Sequence, residues 1–321
     1  MIDPLDRRRN AIRDDLADIR LRDRVERPAY SAGRPMVVRA ASAGCFVTAG
    51  GEALDTQFLY GEPVAVFALV DDAYVDAVED TVIERKDRWA WAQSLVDGYV
   101  GYVEAAALAE PGPPPTHIVS VPAGLVYPEP GVAVSLQGPL PMGARVRVLE
   151  AVEPAEVLEQ VGQLERYRTA PGEHGPLCRL GEGICLKQDD LRPIGEMVED
   201  WVAIAERFVG TPYLWGGKTV AGIDCSGLVQ LALQASGRSA PRDSDMQAEE
   251  LGKALPADAP LRRGDLIFWK GHVGVMSSET RLLHAHGHHQ STVFEPLAET
   301  VARLEGMGLP VTAAYIVLII L

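Results

Sequence analysis

One cysteine, Cys225, stands where a Gly- and Pro-containing loop (211–224) runs into an apolar-periodic segment reaching about Ala235. That is the place of a helix N-terminus, where the helix dipole carries roughly half a positive charge and favours an anion. A thiol there is expected to ionise below its free value of about 8.5, and the thiolate is the form that attacks a carbonyl. Thiol-dependent hydrolysis also needs a base that takes the proton and returns it to the leaving amine, and a third group that orients the base. Two downstream histidines are of the right type, His272 in segment 271–275 and His284 in segment 282–285. The twelve-residue step between them accommodates a strand remainder, a turn at 277–280 and a return strand, so a hairpin would set the rings side by side. Alone, a cysteine is usually a small buried hydrophobe. In this company it reads as a nucleophile.

These residues need a scaffold, and the texture from Gly195 onward supplies one. Met197, Trp201, Ile204, Ala205 and Phe208 follow helical spacing, closed by Gly210. A second helix begins at Cys225, and a third near Asp245 with Ser244 as its cap. Strands follow at 265–269, 272–276, 281–285 and 314–319. Helices first and an antiparallel sheet after make 193–321 an α+β domain. Upstream, short β runs between Gly and Asp turns predict a small all-β barrel over 35–110, with Asp97-Gly98 as a hairpin turn. A Pro-rich stretch, 111–116, reads as an extended linker. The β pattern then restarts: at an offset of 82 residues, 61–67 aligns without gaps on 143–149, predicting a second barrel over 117–192. Residues 1–34 are charged, with Ile12, Leu16, Ile19 and Leu21 at roughly helical spacing, and form either a short helix or an extended arm.

Composition narrows the partners. A net charge of −15 argues against nucleic acid and anionic membrane surfaces, which require a basic face. The N-terminal segment holds no apolar core of signal-peptide type, and the terminal apolar run from Ala313 is too short to cross a bilayer, so a cytoplasmic protein with reduced thiols is expected. The four cysteines are widely spread, and the gap between Cys178 and Cys185 fits no common zinc spacing. The run from His284 to His289 is rich in imidazoles but has no carboxylate or cysteine at ligand spacing, so it reads as an exposed turn. No metal and no cofactor are expected, and no Walker-type phosphate loop is present.

Four blocks carry a family resemblance: 211–217 with 224–229, 262–269, 271–275 and 282–285. In order and spacing they resemble the NlpC/P60 cysteine peptidases, over about 195–321, and the two upstream modules resemble bacterial SH3-like domains. The resemblance implies a papain-like catalytic domain preceded by two small SH3-like barrels, of the type that hydrolyses the γ-D-Glu–diamino acid bond of peptidoglycan stem peptides. It implies Cys225 as nucleophile, His272 as base and His284 as orienter, with the Tyr213 phenol and the Cys225 N–H holding the oxyanion. Asp224, Ser226 and Ser244 would contact substrate and Trp215 would wall the cleft. In the resembling enzymes the first SH3-like domain reads the free amine of a terminal L-Ala, a task for which Glu62 and Tyr99 are the candidates. The substrate would be a small muropeptide such as L-Ala-γ-D-Glu-diaminopimelate, met in cell-wall recycling. An inactive wall-peptide-binding protein, or an amidase or acyltransferase on the same scaffold, are the competing readings.

Overall fold

The first β module follows from period-two burial. Val64 and Val66 on one strand, and Ala90 and Ala92 on its partner, point to one side and meet Val38, Cys45, Phe58 and Val103 in an apolar core. In the computed structural model, which describes residues 3–78, 81–128, 138–152, 176–181, 183–256 and 259–316 (backbone alone over 72–87), seven strands form this antiparallel sheet. They are Arg34–Val38, Ser42–Phe46, Leu54–Leu59, Pro63–Val78, Thr81–Ser94, Val100–Glu104 and Leu108–Ala109. The Asp97-Gly98 turn carries a left-handed glycine (φ 81°), and the Tyr99 N–H donates to Asp97 Oδ1 at 3.0 Å.

Residues preceding this sheet are an arm, with no α-helix among those described. Leu16–Asp18 pairs in parallel with Ala29–Ser31, and a single 3-10 turn, Ile19–Leu21, lies between them. The arm is tied to the first module by Val100 N–H donating to Arg8 O (2.8 Å) and by Gln93 Nε2 donating to Arg9 O (2.8 Å).

The second module is assembled from three small sheets between His117–Val119 and Leu191–Pro193, around Val119, Leu140, Val146, Leu180, Ile184 and Leu186. Strand register sets Cys178 opposite Leu186 and Cys185 opposite Arg179, so the two thiols face opposite sides of the sheet. Both are free.

Among its described residues the third unit has four helices, α1 (Trp201–Glu206), α2 (Cys225–Ala235), α3 (Ser244–Glu250) and α4 (Leu297–Gly306). Its antiparallel sheet contains β1 (Lys253–Ala254), β2 (Asp265–Trp269), β3 (His272–Met276), β4 (Arg281–His286), β5 (Ser291–Pro296) and β6 (Val311–Ile316), in the order β1-β6-β2-β3-β4-β5. Helix α1 begins at Trp201, after the expected Met197, because Asp200 caps it by accepting from Ala203 N–H. Strand β5 and helix α4 go beyond the sequence reading, although Leu297, Val301 and Leu304 carry a helical period and pack on Ile267 and Leu282. Ser244 is the first residue of α3, and its cap position belongs to Asp243. Neither makes a side-chain capping bond, because the Asp243 carboxylate is engaged elsewhere.

The units dock through buried contacts. Leu59 of the first module and Met142 of the second join the core of the third, around Trp201, Phe208, Leu228 and Leu231. Gly61 and Gly143, the matched turn glycines, sit at these seams with φ 73° and 87°. Tyr60 O accepts from Arg145 N–H at 2.7 Å, so the backbones of the two modules touch beside Gly61. A Cβ on Gly61 would stand 2.0 Å from Arg145 O. Gly61→Ala is therefore expected to cost about 1–3 kcal/mol from the backbone conformation alone, and more from the clash. The measurement is the urea midpoint, with Gly112→Ala in the open linker, where an added Cβ meets nothing within 4 Å, as the unaffected control.

Candidate active site

The site is built on the N-terminus of α2. Asp224 caps that helix: its Oδ1 accepts from Gly227 N–H at 2.6 Å and its Oδ2 from Gly216 N–H at 2.8 Å. Arg242 grips the same carboxylate with two nitrogens, Nη1 to Oδ1 at 2.9 Å and Nη2 to Oδ2 at 2.6 Å. Its Nη1 also donates to Ser226 Oγ (2.9 Å), and its Nε to Thr56 Oγ1 of the first module (2.8 Å). Asp224, Ser226 and Arg242 are all buried. The structure thus engages the Asp224 and Ser226 side chains in fixing the helix end, a different occupation from the substrate contacts the sequence suggested.

Cys225 is the first residue of α2. The Val273 and Ser226 N–H groups favour its thiolate, which sets the sulfur beside the residue that follows His272. Burial nevertheless dominates: together with the Asp224 charge, it pushes the Cys225 thiol up to about 12. The expected depression is overturned, because the helix end is closed to water and a carboxylate lies next to it. Burial, with the neighbouring His284 and His286, likewise holds His272 well below 6.5. Both shifts favour the uncharged thiol and the uncharged imidazole.

His272 and His284 are brought together as the hairpin predicts. His272 Nε2 and His284 Nδ1 are 3.0 Å apart, and His284 Nε2 lies 3.1 Å from Glu295 Oε2. Strand register places Leu282 opposite Glu295 and His284 opposite Val293, so the His284 and Glu295 side chains share a sheet face. Arg303 of α4 pairs with both Glu295 oxygens, Nη2 to Oε2 at 2.8 Å. Chiefly through that hydrogen bond, Glu295 is held well below the usual carboxylate range and acts only as an acceptor. His284, lowered to about 3 by burial, is neutral. An acceptor at Glu295 puts the His284 proton on Nε2 and leaves Nδ1 to accept from His272 Nε2–H. The His272 Nδ1 is then left unprotonated, as an acceptor. Glu295 and Arg303 were missed by sequence reasoning, since only the β4–β5 register and the helix after it bring them in.

Tyr213 is half-buried and close enough to Cys225 that burial, then the Cys225 and Asp224 charges, raise its phenol to about 12. It is therefore a neutral O–H donor. The Cys225 N–H, first of its helix, has no intrahelical acceptor. Trp215 is 65% exposed on the loop beside this helix end, an apolar surface open to a ligand. Tyr99 reaches from the first module to the third, donating from its hydroxyl to Asp243 Oδ2 at 3.2 Å. Asp243 was not singled out from sequence, as nothing in 241–246 separates it from its acidic neighbour. Arg8 of the arm donates to the same oxygen at 2.8 Å, and pairs with Asp245 at 2.8 Å. Ser244 lies half-buried next to Asp243. Glu62 is not in this group. It is buried within the first module, where its oxygens accept from Leu59 N–H (2.9 Å) and Ser94 Oγ–H (2.5 Å), so it braces a turn rather than facing a cleft.

Known proteins are similar to this chain in sequence and in fold. The NlpC/P60 family pattern matches residues 210–303, and that of the bacterial dipeptidyl-peptidase SH3 domain matches 79–108. The γ-D-glutamyl-L-lysine dipeptidyl-peptidase of Bacillus subtilis is 29% identical over 269 residues, 78% of this chain and 79% of that protein. The probable endopeptidase NlpC of Escherichia coli is 36% identical over 118 residues, covering 34% of this chain and 68% of the relative. Dipeptidyl-peptidase 6 of Lysinibacillus sphaericus is 38% identical over 87 residues, but only 32% of its length is spanned. A crystal structure of an NlpC/P60 family protein from Bacillus cereus superposes with a TM-score of 0.64 at 19% identity, over 89% of this chain and all of that one, and shares the fold.

The relay predicts how Cys225 responds to alkylation. His272→Ala is expected to slow its reaction with iodoacetamide at neutral pH by about 10²-fold, with Glu295→Gln intermediate. If His272 is the acceptor, burial keeps it uncharged until well below 6.5. The wild-type rate should therefore hold as pH falls through 6.5 and drop only below it. An inflection at 6.5, or equal rates in wild type and His272→Ala, would contradict the relay.

Proposed function

The chain belongs to the NlpC/P60 family, and from that premise we propose that it is a cysteine endopeptidase that cleaves the γ-D-Glu–diamino acid bond of small peptidoglycan peptides bearing a free N-terminal L-Ala. The observation that carries the reading is the hydrogen-bonded line His272–His284–Glu295, with the N–H of Val273, the residue after His272, on the Cys225 sulfur at a helix N-terminus. An intact nucleophile, base and orienter are what hydrolysis needs and what a wall-peptide-binding protein would not.

The steps follow from the groups present. His272 Nδ1 takes the Cys225 proton as the sulfur attacks the carbonyl carbon of the γ-D-glutamyl group. The tetrahedral oxyanion is met by the Cys225 N–H and the Tyr213 O–H, each such donor being worth about 10²–10³ in turnover. The imidazolium, steadied by His284 and by the Glu295 carboxylate behind it, returns the proton to the leaving diamino-acid nitrogen. Water then cleaves the thioester, with His272 again as base, releasing L-Ala-D-Glu and the thiol.

Length selection is assigned to the first β module. Tyr99 and Asp243 meet where that module borders α3, and the Asp243 carboxylate is a partner for a substrate ammonium. Asp243 with Tyr99 takes the amine-reading part in preference to Glu62, whose carboxylate is enclosed. A carboxylate at this end favours a free L-Ala amine over a peptide still joined to glycan, which fits a role in recycling and a cytoplasmic place of action.

The test is incubation of the full chain with L-Ala-γ-D-Glu-diaminopimelate and detection of free L-Ala-D-Glu. Cys225→Ala should abolish release. N-acetylation of the tripeptide should lower kcat/KM by about 10–100-fold, the worth of a charge-assisted hydrogen bond. Tyr99→Phe should narrow that ratio. Equal rates on the free and acetylated peptides would remove the amine-reading role and leave the peptidase assignment standing.

A further inference from the structure

The histidine-rich run from His284 to His289 lacks a carboxylate in sequence, but the fold provides one. His284 Nε2 and His289 Nε2 converge on a single oxygen, Glu295 Oε2, at 3.1 and 3.3 Å. The ligand atoms of the three residues all lie within 4.8 Å of one another. Around a tetrahedral zinc ion with bonds of about 2.0–2.2 Å, neighbouring ligand atoms stand about 3.3 Å apart. An ion can therefore replace the two imidazole–carboxylate contacts with small side-chain movements. Two imidazoles and one carboxylate are a donor set suited to zinc. Arg303 holds both carboxylate oxygens, so an ion on Oε2 also takes the place of the Nη2 contact there (2.8 Å), while Nη1 stays on Oε1 as the outer partner that orients the carboxylate. The His289 side chain is 32% exposed and gives the otherwise buried pair a path to solvent.

We propose that His284, His289 and Glu295 form a zinc-class metal site which, when filled, switches the neighbouring catalytic relay off. The consequence follows from the tautomers, and it rests on the reading of His272 as the base. A metal on His284 Nε2 displaces the proton from that nitrogen. Neutral His284 then carries its proton on Nδ1 and donates to His272 Nε2. The His272 proton moves in turn to Nδ1, the nitrogen that must accept from the thiol. No proton is gained or lost, yet the base is gone. The same ion also removes from His284 the carboxylate that fixed the working tautomer.

The first measurement is calorimetric titration of full-length Cys225→Ala protein with zinc chloride, so that the thiol cannot bind the metal. About one zinc per chain is expected, and His289→Ala in that background should weaken binding by about 10-fold or more. No saturable binding, or an affinity that His289→Ala leaves unchanged, would overturn the site. Neither result depends on peptidase activity, so it is distinguishable from a failure of the proposed reaction. The second measurement is the iodoacetamide alkylation rate of Cys225 with zinc and with a chelator. Zinc should slow alkylation in wild type, and His289→Ala should shift the zinc dependence by about the same 10-fold factor as the binding. Slowing that is identical in both proteins would overturn the switch, because the metal would then be acting at the thiol itself.

Discussion

The buried pair between Asp224 and Arg242 is the interaction on which the rest of the site depends. One carboxylate caps the nucleophile helix through Gly227 and holds the preceding loop through Gly216, while the guanidinium opposite it reaches Ser226 and Thr56. The helix end, the loop carrying Tyr213 and Trp215, and the first β module are thus fixed by one ion pair. Two charges taken from water are costly, and the cost is offset only because nearly every lone pair and N–H of the pair finds a partner. Removing one member of such a pair typically costs about 3–5 kcal/mol. Here the loss would also free the helix that aims the thiol.

That arrangement has an electrostatic consequence. Burial raises the Cys225 thiol and the carboxylate beside it raises it further, against the pull of the helix end. In the proposed reaction His272 generates the reactive form, and that imidazole is heavily braced. His284 fixes the His272 tautomer, Glu295 fixes that of His284, and Arg303 keeps Glu295 ionised. A thiol of ordinary acidity would need less support.

What could be read from sequence was whatever is local. Cys225 with its loop, the twelve-residue step from His272 to His284 and the Asp97-Gly98 turn are short-range patterns, and each appears in the structure at the element its spacing implies. Glu295 and Arg303 escaped because their roles arise from cross-strand register and from a helix whose period, Leu297, Val301 and Leu304, went unread. Arg242 and Asp243 escaped because burial and contacts with Thr56, Tyr99 and Arg8 define them, and those partners lie more than a hundred residues away. The acidity of Cys225 was misjudged for the same reason: the dipole is legible in sequence and desolvation is not. Glu62, a turn acid by pattern, closes a hydrogen-bond circuit inside its own module.

Asp243 shows why the three segments must fold as one body. Its carboxylate is reached by Arg8 from the arm and by Tyr99 from the first β module, with buried Arg242 next to it in the chain. Burial raises the Asp243 pKa, while the Arg242 and Arg8 charges work the other way. None of these contacts exists within the third unit alone apart from the Arg242 charge. Arg8 is itself held by Asp6 and Asp245, so the arm is anchored at both sides of the carboxylate it touches. Gln230 of the nucleophile helix donates to Asp97 in the turn that carries Tyr99, which links the position of that phenol to the position of the thiol. Cys225, His272, His284 and Glu295 all belong to one unit, but the surface around Asp243 is shared among three segments, and a displacement of either upstream segment would be felt at the helix end that presents Cys225.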